Sequence, residues 1–297
     1  MRRFFKIAAI VLCLCCSIGV IAVALYQPPK VSDFGIFAEL RSFTISQLQR
    51  FGAVKRPVSD EFTTFVLTLS FPYTKLFGGK RIGVPLESYE SDRIIAATIS
   101  QFEIPVGSGY YRDFTFNLRP RYPYKAPVFH IDFMKPSPGV PGLCSMDFFN
   151  VDPETINLEA FFGDTLPEIR KAMELVASYQ RTPQQGRGKI TAYLDRWKSP
   201  YRMELQEPKT DDEQVRKRYY TAVAQAYNIA LSAYLTSLQR LVPDPAFTQR
   251  HRDMTRGFVQ ALYTKDFAVN MGKKIFKDAF DKYWKEGFWA LEKDMVY

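Results

Sequence analysis

Two hydrophobic rhythms divide this chain. Between Glu61 and Asp152, apolar positions recur at every second residue in short runs, the period of a half-buried strand. The runs fall at Phe62–Leu69, Arg93–Phe102, Asp113–Leu118, Val128–Met134 and Leu143–Phe149. Gly78-Gly79, Pro105–Gly109, Pro120–Pro123 and Pro136–Gly142 punctuate them. Connections this short between successive strands predict an antiparallel sheet.

From Leu158 onward the spacing becomes helical. Leu166–Tyr179 carries Ile169, Met173, Leu175 and Val176 near one face, and a polar stretch around Gln184-Gln185-Gly186 ends it. Asp212–Leu241 predicts a long helix with Tyr220, Val223, Tyr227, Leu231, Tyr234, Leu235 and Leu238 on an apolar stripe, stopped by Pro243 and Pro245. Asp253–Met271 and Lys273–Leu291 read as two more, the last with Phe276, Phe280, Tyr283 and Trp284. Strands followed by helices predict an α+β fold, a central sheet covered by helices.

Composition changes this picture only at the N-terminus. The 297 residues are 46% hydrophobic, 24% charged and 15% aromatic, which excludes a disordered chain and a polytopic membrane protein. Ile7–Leu25 holds no charge and follows Arg2, Arg3 and Lys6, the pattern of a signal peptide or a single membrane anchor. Ala22-Val23-Ala24 offers a cleavage site, while the stretch is also just long enough to span. Either way the body, residues 30–297 as one domain after a 1–29 leader, is expected across a membrane: exported, periplasmic or within a plastid. Net charge is +9, spread with acids interleaved, so it favours anionic ligands without marking nucleic acid. Cys13, Cys15 and Cys16 lie in the apolar stretch, leaving Cys144 alone in the body, and the body has two histidines, His130 and His251. A His/Cys metal site and an intrachain disulfide are therefore not expected.

Phosphate-binding glycine loops, dinucleotide fingerprints, G-x-S-x-G and H-E-x-x-H are all absent. The chemistry lies in Arg119–Asp132, which reads RPRYPYKAPVFHID. On a strand, Val128, His130, Asp132 and Met134 share one face, and Phe129, Ile131 and Phe133 the other. A carboxylate placed mid-strand opposite a core has its charged form disfavoured, which raises its pKa toward that of a proton donor working near neutrality. The alternative is an edge carboxylate bonded to a backbone amide or to Lys125.

Pro120-Arg121, Tyr124, Ala126-Pro127, Phe129 and Asp132 resemble the sheet motif of ferredoxin-dependent bilin reductases and the related red chlorophyll catabolite reductases. Ser145–Phe148 resembles their next strand, Lys198–Arg202 their segment after the sheet, and Arg252-Asp253 with Asp266–Asn270 and Phe276 their C-terminal pattern. The resemblance runs over roughly residues 90–290. It implies an α/β/α sandwich with a tetrapyrrole pocket between sheet and C-terminal helices. Reduced ferredoxin would deliver electrons one at a time, with no tightly bound cofactor or metal. On this reading Asp132 is the proton donor and Asp266 the second acid, assisted by Asn117 and His130. Arg112, Arg119, Arg121 and Arg202 are candidates for the propionates of an open-chain tetrapyrrole, with Tyr122, Tyr124, Tyr201 and Asn270 along the pocket.

The sequence also departs from the family. Thr115 stands where one bilin reductase subgroup has a His seventeen residues before the Asp, and Asn270 is followed by Met271 rather than Asp. Those departures leave a non-catalytic tetrapyrrole carrier as an alternative. A shorter likeness to ubiquitin-conjugating enzymes, through Tyr122-Pro123, Pro127, Pro136 and Cys144, would make Cys144 a nucleophile.

Overall fold

The computed structural model describes residues 35–58, 66–68, 81–83, 85–106, 109–135, 140–181, 194–266, 269–270, 273–274 and 278–291. Its centre is a seven-stranded antiparallel sheet in the order β1-β4-β5-β6-β7-β8-β9. The strands are β1 (Val54–Lys55), β4 (Leu86–Glu90), β5 (Ile94–Val106), β6 (Gly109–Pro120), β7 (Val128–Lys135), β8 (Leu143–Phe149) and β9 (Met203–Gln206). A separate pair, β2 (Val66–Thr68) with β3 (Arg81–Gly83), lies outside it. The helices are α1 (Ile36–Arg50), α2 (Leu158–Phe162), α3 (Leu166–Leu175), α4 (Glu213–Arg240), α5 (Thr248–Lys265) and α6 (Asp278–Lys282), followed by a π-helical turn at Tyr283–Phe288.

The alternation in the sequence decides which face is core. Phe114, Phe116 and Leu118 on β6, Phe129, Ile131 and Phe133 on β7, and Cys144, Met146 and Phe148 on β8 all point one way and are buried. The aromatic side of α4 packs on them. Tyr227 stacks on Phe129 at 6.1 Å, Tyr234 on Phe129 at 5.6 Å and on Phe148 at 6.2 Å, and Tyr220 lies 5.9 Å from Phe133. From α1, Phe37 stacks on Phe133 at 5.2 Å, and Thr44 shares a 2.5 Å hydrogen bond with Tyr227. Two helices thus close the apolar face, while α5 and the C-terminal turn lie on the other, giving the three-layer sandwich expected from the sequence.

Helix α4 begins where a cap permits it. Asp212 is extended at the N-cap, and its carboxylate accepts from the backbone N–H of Gln214 at 2.8 Å and Val215 at 3.3 Å. Two otherwise orphaned amides are satisfied this way. Asp212→Ala is expected to cost about 1 kcal/mol in a urea titration. An unchanged midpoint would show that water serves the helix end equally well.

Several elements differ from the sequence reading. The strand expected at Phe62–Leu69 is described only over Val66–Thr68. The turn expected to start at Pro105 begins later, because β5 runs to Val106 with Pro105 paired to Tyr110. Among the described residues β4 reaches only as far as Ser100, so Pro105 needs no ladder donor on that side. Helix α3 stops at Leu175 and passes into a 3₁₀ turn at Ala177–Tyr179. The helical half is interrupted by β9, and the last expected helix is described as helical at 273–274 and Asp278–Lys282 and as a π turn over Tyr283–Phe288. Phe276 and the Ile7–Leu25 stretch lie outside the described residues. Among the described residues no helix is long and apolar enough to cross a membrane.

Candidate active site

The face opposite the core is polar in ordered rows, because the strand period that buries Phe114 and Phe129 turns their neighbours the other way. One row runs across the sheet through Ser88, Thr98, Asn117, His130 and Asp147. The next runs through Ser100, Thr115, Asp132 and Ser145. Beyond it Asp113 stands opposite Met134.

Asp132 sits at the middle of this face. The residue is partly exposed, yet packed protein surrounds its carboxyl enough that desolvation pushes its pKa well above the usual carboxylate range. The charges of Asp113 and Asp266 push it further, and only the Thr115 hydroxyl favours ionisation. Asp113 is buried, and its carboxyl is pushed up to about 6 by desolvation, against hydrogen bonds from Thr115 and Tyr111. Thr115 Oγ1 donates to Asp113 Oδ1 at 2.6 Å and lies 3.5 Å from Asp132 Oδ1. Tyr111 donates its phenolic proton to Asp113 Oδ2 at 2.7 Å.

His130 and Asn117 are joined directly, with Nδ1 2.6 Å from the Asn117 amide oxygen, which makes Nδ1–H the donor. Desolvation lowers the His130 pKa to about 4, so the ring is neutral at pH 7. Asn117 Nδ2, Thr98 Oγ1 and Ser88 Oγ are buried on the same face without a hydrogen-bond partner among the described residues. Asp147 closes the row, accepting from Ser199 Oγ at 2.7 Å and Ser199 N at 3.1 Å, and burial still lifts its pKa to about 6.

These shifts have opposite consequences for stability. An unfolded His130 takes a proton near 6.5 and the folded one only near 4, so its contribution weakens as pH falls through that window. Folded Asp113 and Asp147 hold protons up to about 6, so theirs is present below the ordinary value of 3.8 and lost as pH rises through about 6. The direct check is the imidazole resonance of His130, expected to report a neutral Nδ1–H ring at pH 5.5. An imidazolium signal there would mean that the polar row is open to water.

The carboxylate expected to act as second acid comes from the opposite layer. Asp266 ends α5, its charge reaches Asp132, and its side chain also caps the next turn, accepting from Val269 N at 3.0 Å. Asn270 donates its own N–H to the Asp266 carbonyl at 3.0 Å, and its side chain lies 3.4 Å from the Thr264 carbonyl. Aromatic groups of the C-terminal turn cover the β5 side of this face: Tyr283 bonds Ser100 at 2.9 Å, and Trp289 packs on Phe258.

The arginines expected to bind carboxylates are placed less favourably. Arg112 has the parity of Phe114, away from Asp132, and pairs with Glu103. Arg119 is on the correct face but wholly buried, and its guanidinium donates to the Trp289 carbonyl and to the Tyr122 hydroxyl at 2.7 Å. Tyr122 is correspondingly buried, edge-on to His251. Arg121 donates to the Ser91 carbonyl and lines a cavity of about 250 Å³ with Arg56, Glu90, Ile95 and Leu291, whose lining includes none of the site carboxylates. Arg202 remains half-exposed beside Glu204, and its charge reaches Asp147. Of the four, it alone combines exposure with a position next to a polar row. Lys125, the alternative partner for Asp132, pairs with Asp244 at 2.9 Å. Tyr124 stacks under Arg93, and Tyr201 packs edge-on against Phe162. Cys144 is buried on the core face with its pKa raised by burial, so the chemistry of a ubiquitin-conjugating nucleophile has no place there.

The class of protein defined by this architecture is an α/β/α sandwich with an antiparallel sheet, buried acids on one sheet face and C-terminal helices over them. The crystal structure of phytochromobilin synthase from tomato in complex with biliverdin has this fold. It matches over 83% of this chain and 81% of its own, with a TM-score of 0.61 and 12% sequence identity. No family model matches the chain, and no curated protein does.

Proposed function

We propose that this protein binds an open-chain tetrapyrrole, of the biliverdin or chlorophyll-catabolite type, on the polar sheet face and reduces it by proton-coupled single-electron steps. The observation that carries the reading is Asp132, a carboxyl whose pKa is pushed well above the usual carboxylate range by burial and by two neighbouring acids, on the face covered by the C-terminal helices. Adding electrons to a conjugated tetrapyrrole builds negative charge that must be matched by protons, so an acid of this kind against the ring is the group the reaction needs. The shared fold with a biliverdin-bound phytochromobilin synthase and the RPRYPYKAPVFHID strand support the same reading. Asp132 is the donor, Asp266 the second acid, and neutral His130 oriented by Asn117 presents a hydrogen-bonding Nε2. Arg202 is the cation for a propionate. The electron donor is reduced ferredoxin, an external partner, with no tightly bound cofactor.

The body from about residue 30 is titrated with biliverdin and followed by visible absorbance, then supplied with reduced ferredoxin. Saturable one-to-one binding followed by bleaching of the long-wavelength band is the expected result. Binding without reduction by any reduced ferredoxin would make the protein a carrier, and no saturable binding at micromolar ligand would remove the tetrapyrrole altogether.

A further inference from the structure

The proton supply of the site has a feature that Asp132 and Asp266 do not explain. Thr115 lies between two carboxyls, 2.6 Å from Asp113 Oδ1 and 3.5 Å from Asp132 Oδ1. A hydroxyl owns a single proton, so it can donate to only one of them at a time. With Thr115 donating to Asp113, the longer contact is a hydrogen bond only when Asp132 is protonated and donates to Thr115 Oγ1. Asp113 meanwhile accepts a second hydrogen bond, from the Tyr111 hydroxyl at 2.7 Å. Two accepted hydrogen bonds are what an ionised carboxylate takes, whereas among the described residues Asp132 has only the long one. The resting arrangement is therefore one carboxylate, Asp113, and one carboxylic acid, Asp132.

We propose that Asp113 is the proton-uptake residue of this site, coupled to Asp132 through Thr115 so that it recharges Asp132 each time Asp132 gives its proton away. The proposal rests on the tetrapyrrole reading and deepens it. Once Asp132 has lost its proton, two carboxylates lie diagonally across adjacent strands with the charge of Asp266 also reaching Asp132. That repulsion draws a proton from solvent onto Asp113. The Asp113 carboxyl then passes this proton to Thr115 Oγ1 as Thr115 releases its own to the Asp132 carboxylate. Asp113 returns to carboxylate, Asp132 to acid, and Thr115 is unchanged. The electrons for the ligand come from the one-electron donor of the proposed reaction. Tyr111 is only half-buried, so the chain of groups reaches from solvent inward. The 3.5 Å span is long for transfer, and bound ligand must close it, as catalytic hydrogen bonds often tighten only in the complex.

The groups around the pair set the direction of its titration. Facing Asp113 are Tyr111 and Thr115 on its own strand, Asp132 and Met134 on β7, Phe102 on β5 and Tyr283 from the C-terminal turn. The charge of Asp266 reaches Asp132, and among the described residues no basic side chain shifts either carboxyl. Removing the Asp113 charge must therefore make Asp132 easier to ionise.

Two measurements test this. In ligand-free protein, the protonated-carboxyl band in infrared difference spectra is followed against pH for wild type, Asp113→Asn and Thr115→Val. Asp113→Asn is expected to move the Asp132 midpoint down, and Thr115→Val to leave the two acids coupled by charge alone. In turnover with reduced ferredoxin, both variants are expected to slow steady-state reduction by about tenfold or more, with the first proton transfer intact in a single turnover. The pH profile of the slow phase should shift toward acid. An unmoved Asp132 midpoint in Asp113→Asn, or wild-type turnover and pH profile in both variants, would overturn the proposal. If the wild-type protein binds no tetrapyrrole, the proposed function fails, and the pair then stands or falls on the ligand-free midpoints.

Discussion

Asp132→Asn is expected to lower turnover by about 10²–10⁴-fold while leaving tetrapyrrole binding close to wild type. The amide keeps the shape of the side chain and can still meet Thr115, but it has no transferable proton. The substitution exchanges one neutral group for another, because the charged form of Asp132 is already opposed by desolvation, by Asp113 and by Asp266. Stability should therefore hold, separating a chemical role from a structural one. An effect confined to the chemical step appears in kcat and kcat/KM together, with the dissociation constant unmoved. A one-electron-reduced, radical ligand is expected to accumulate, since electrons arrive and the matching proton does not. Normal turnover by both Asp132→Asn and Asp266→Asn would show that both carboxylates are structural.

How much of this was legible in the sequence depends on the length over which a pattern repeats. Strands β6, β7 and β8 were readable because apolar residues recur at every second position in Asp113–Leu118, Val128–Met134 and Leu143–Phe149. The same alternation placed Asn117, His130 and Asp132 on one face. Helix α1 was missed because its buried stripe, Ile36, Phe37, Leu40, Thr44 and Leu48, is narrow and has a threonine at its centre. Strand β9 was missed because four residues carry too little period to separate them from a loop, and its pairing to β8 is non-local. Asp113 had a signal, standing on the face of Thr115 and Asn117, but one carboxylate near a strand end is an ordinary surface residue until its partners are known. The arginines were misjudged for a related reason: composition counts cations, while only packing shows that Arg119 is committed to the C-terminal backbone and Arg112 to Glu103.

The largest expected effect on folding lies far from the acids, at Glu207 just past β9. Its carboxylate accepts from Gly142 N at 2.7 Å and Arg216 Nε at 2.7 Å, pairs with Lys135, and receives the Tyr220 hydroxyl at 3.1 Å. The Glu207 N–H in turn donates to the Gly142 carbonyl at 2.9 Å, so one residue fastens the β7–β8 turn to β9 and to the start of α4. Burial alone would raise its pKa, but Lys135, the Gly142 amide and Arg216 together hold it below the ordinary value of 4.5. Glu207→Gln keeps the volume and one acceptor but leaves two buried cations facing each other without a counter-charge. Breaking such a pair costs about 3–5 kcal/mol, and the loss here should fall toward the lower figure because Lys135 keeps a little solvent contact. The sign with pH follows from the depressed value: the wild-type contribution is complete above the unfolded carboxyl's pKa and fades as pH falls through the folded one. The stability gap between wild type and Glu207→Gln, read from urea midpoints, should therefore be widest near neutrality and narrow as pH falls below the ordinary carboxyl value of 4.5. A gap under about 1 kcal/mol at pH 7, the size expected of a solvated surface pair, would show that water already screens the cluster.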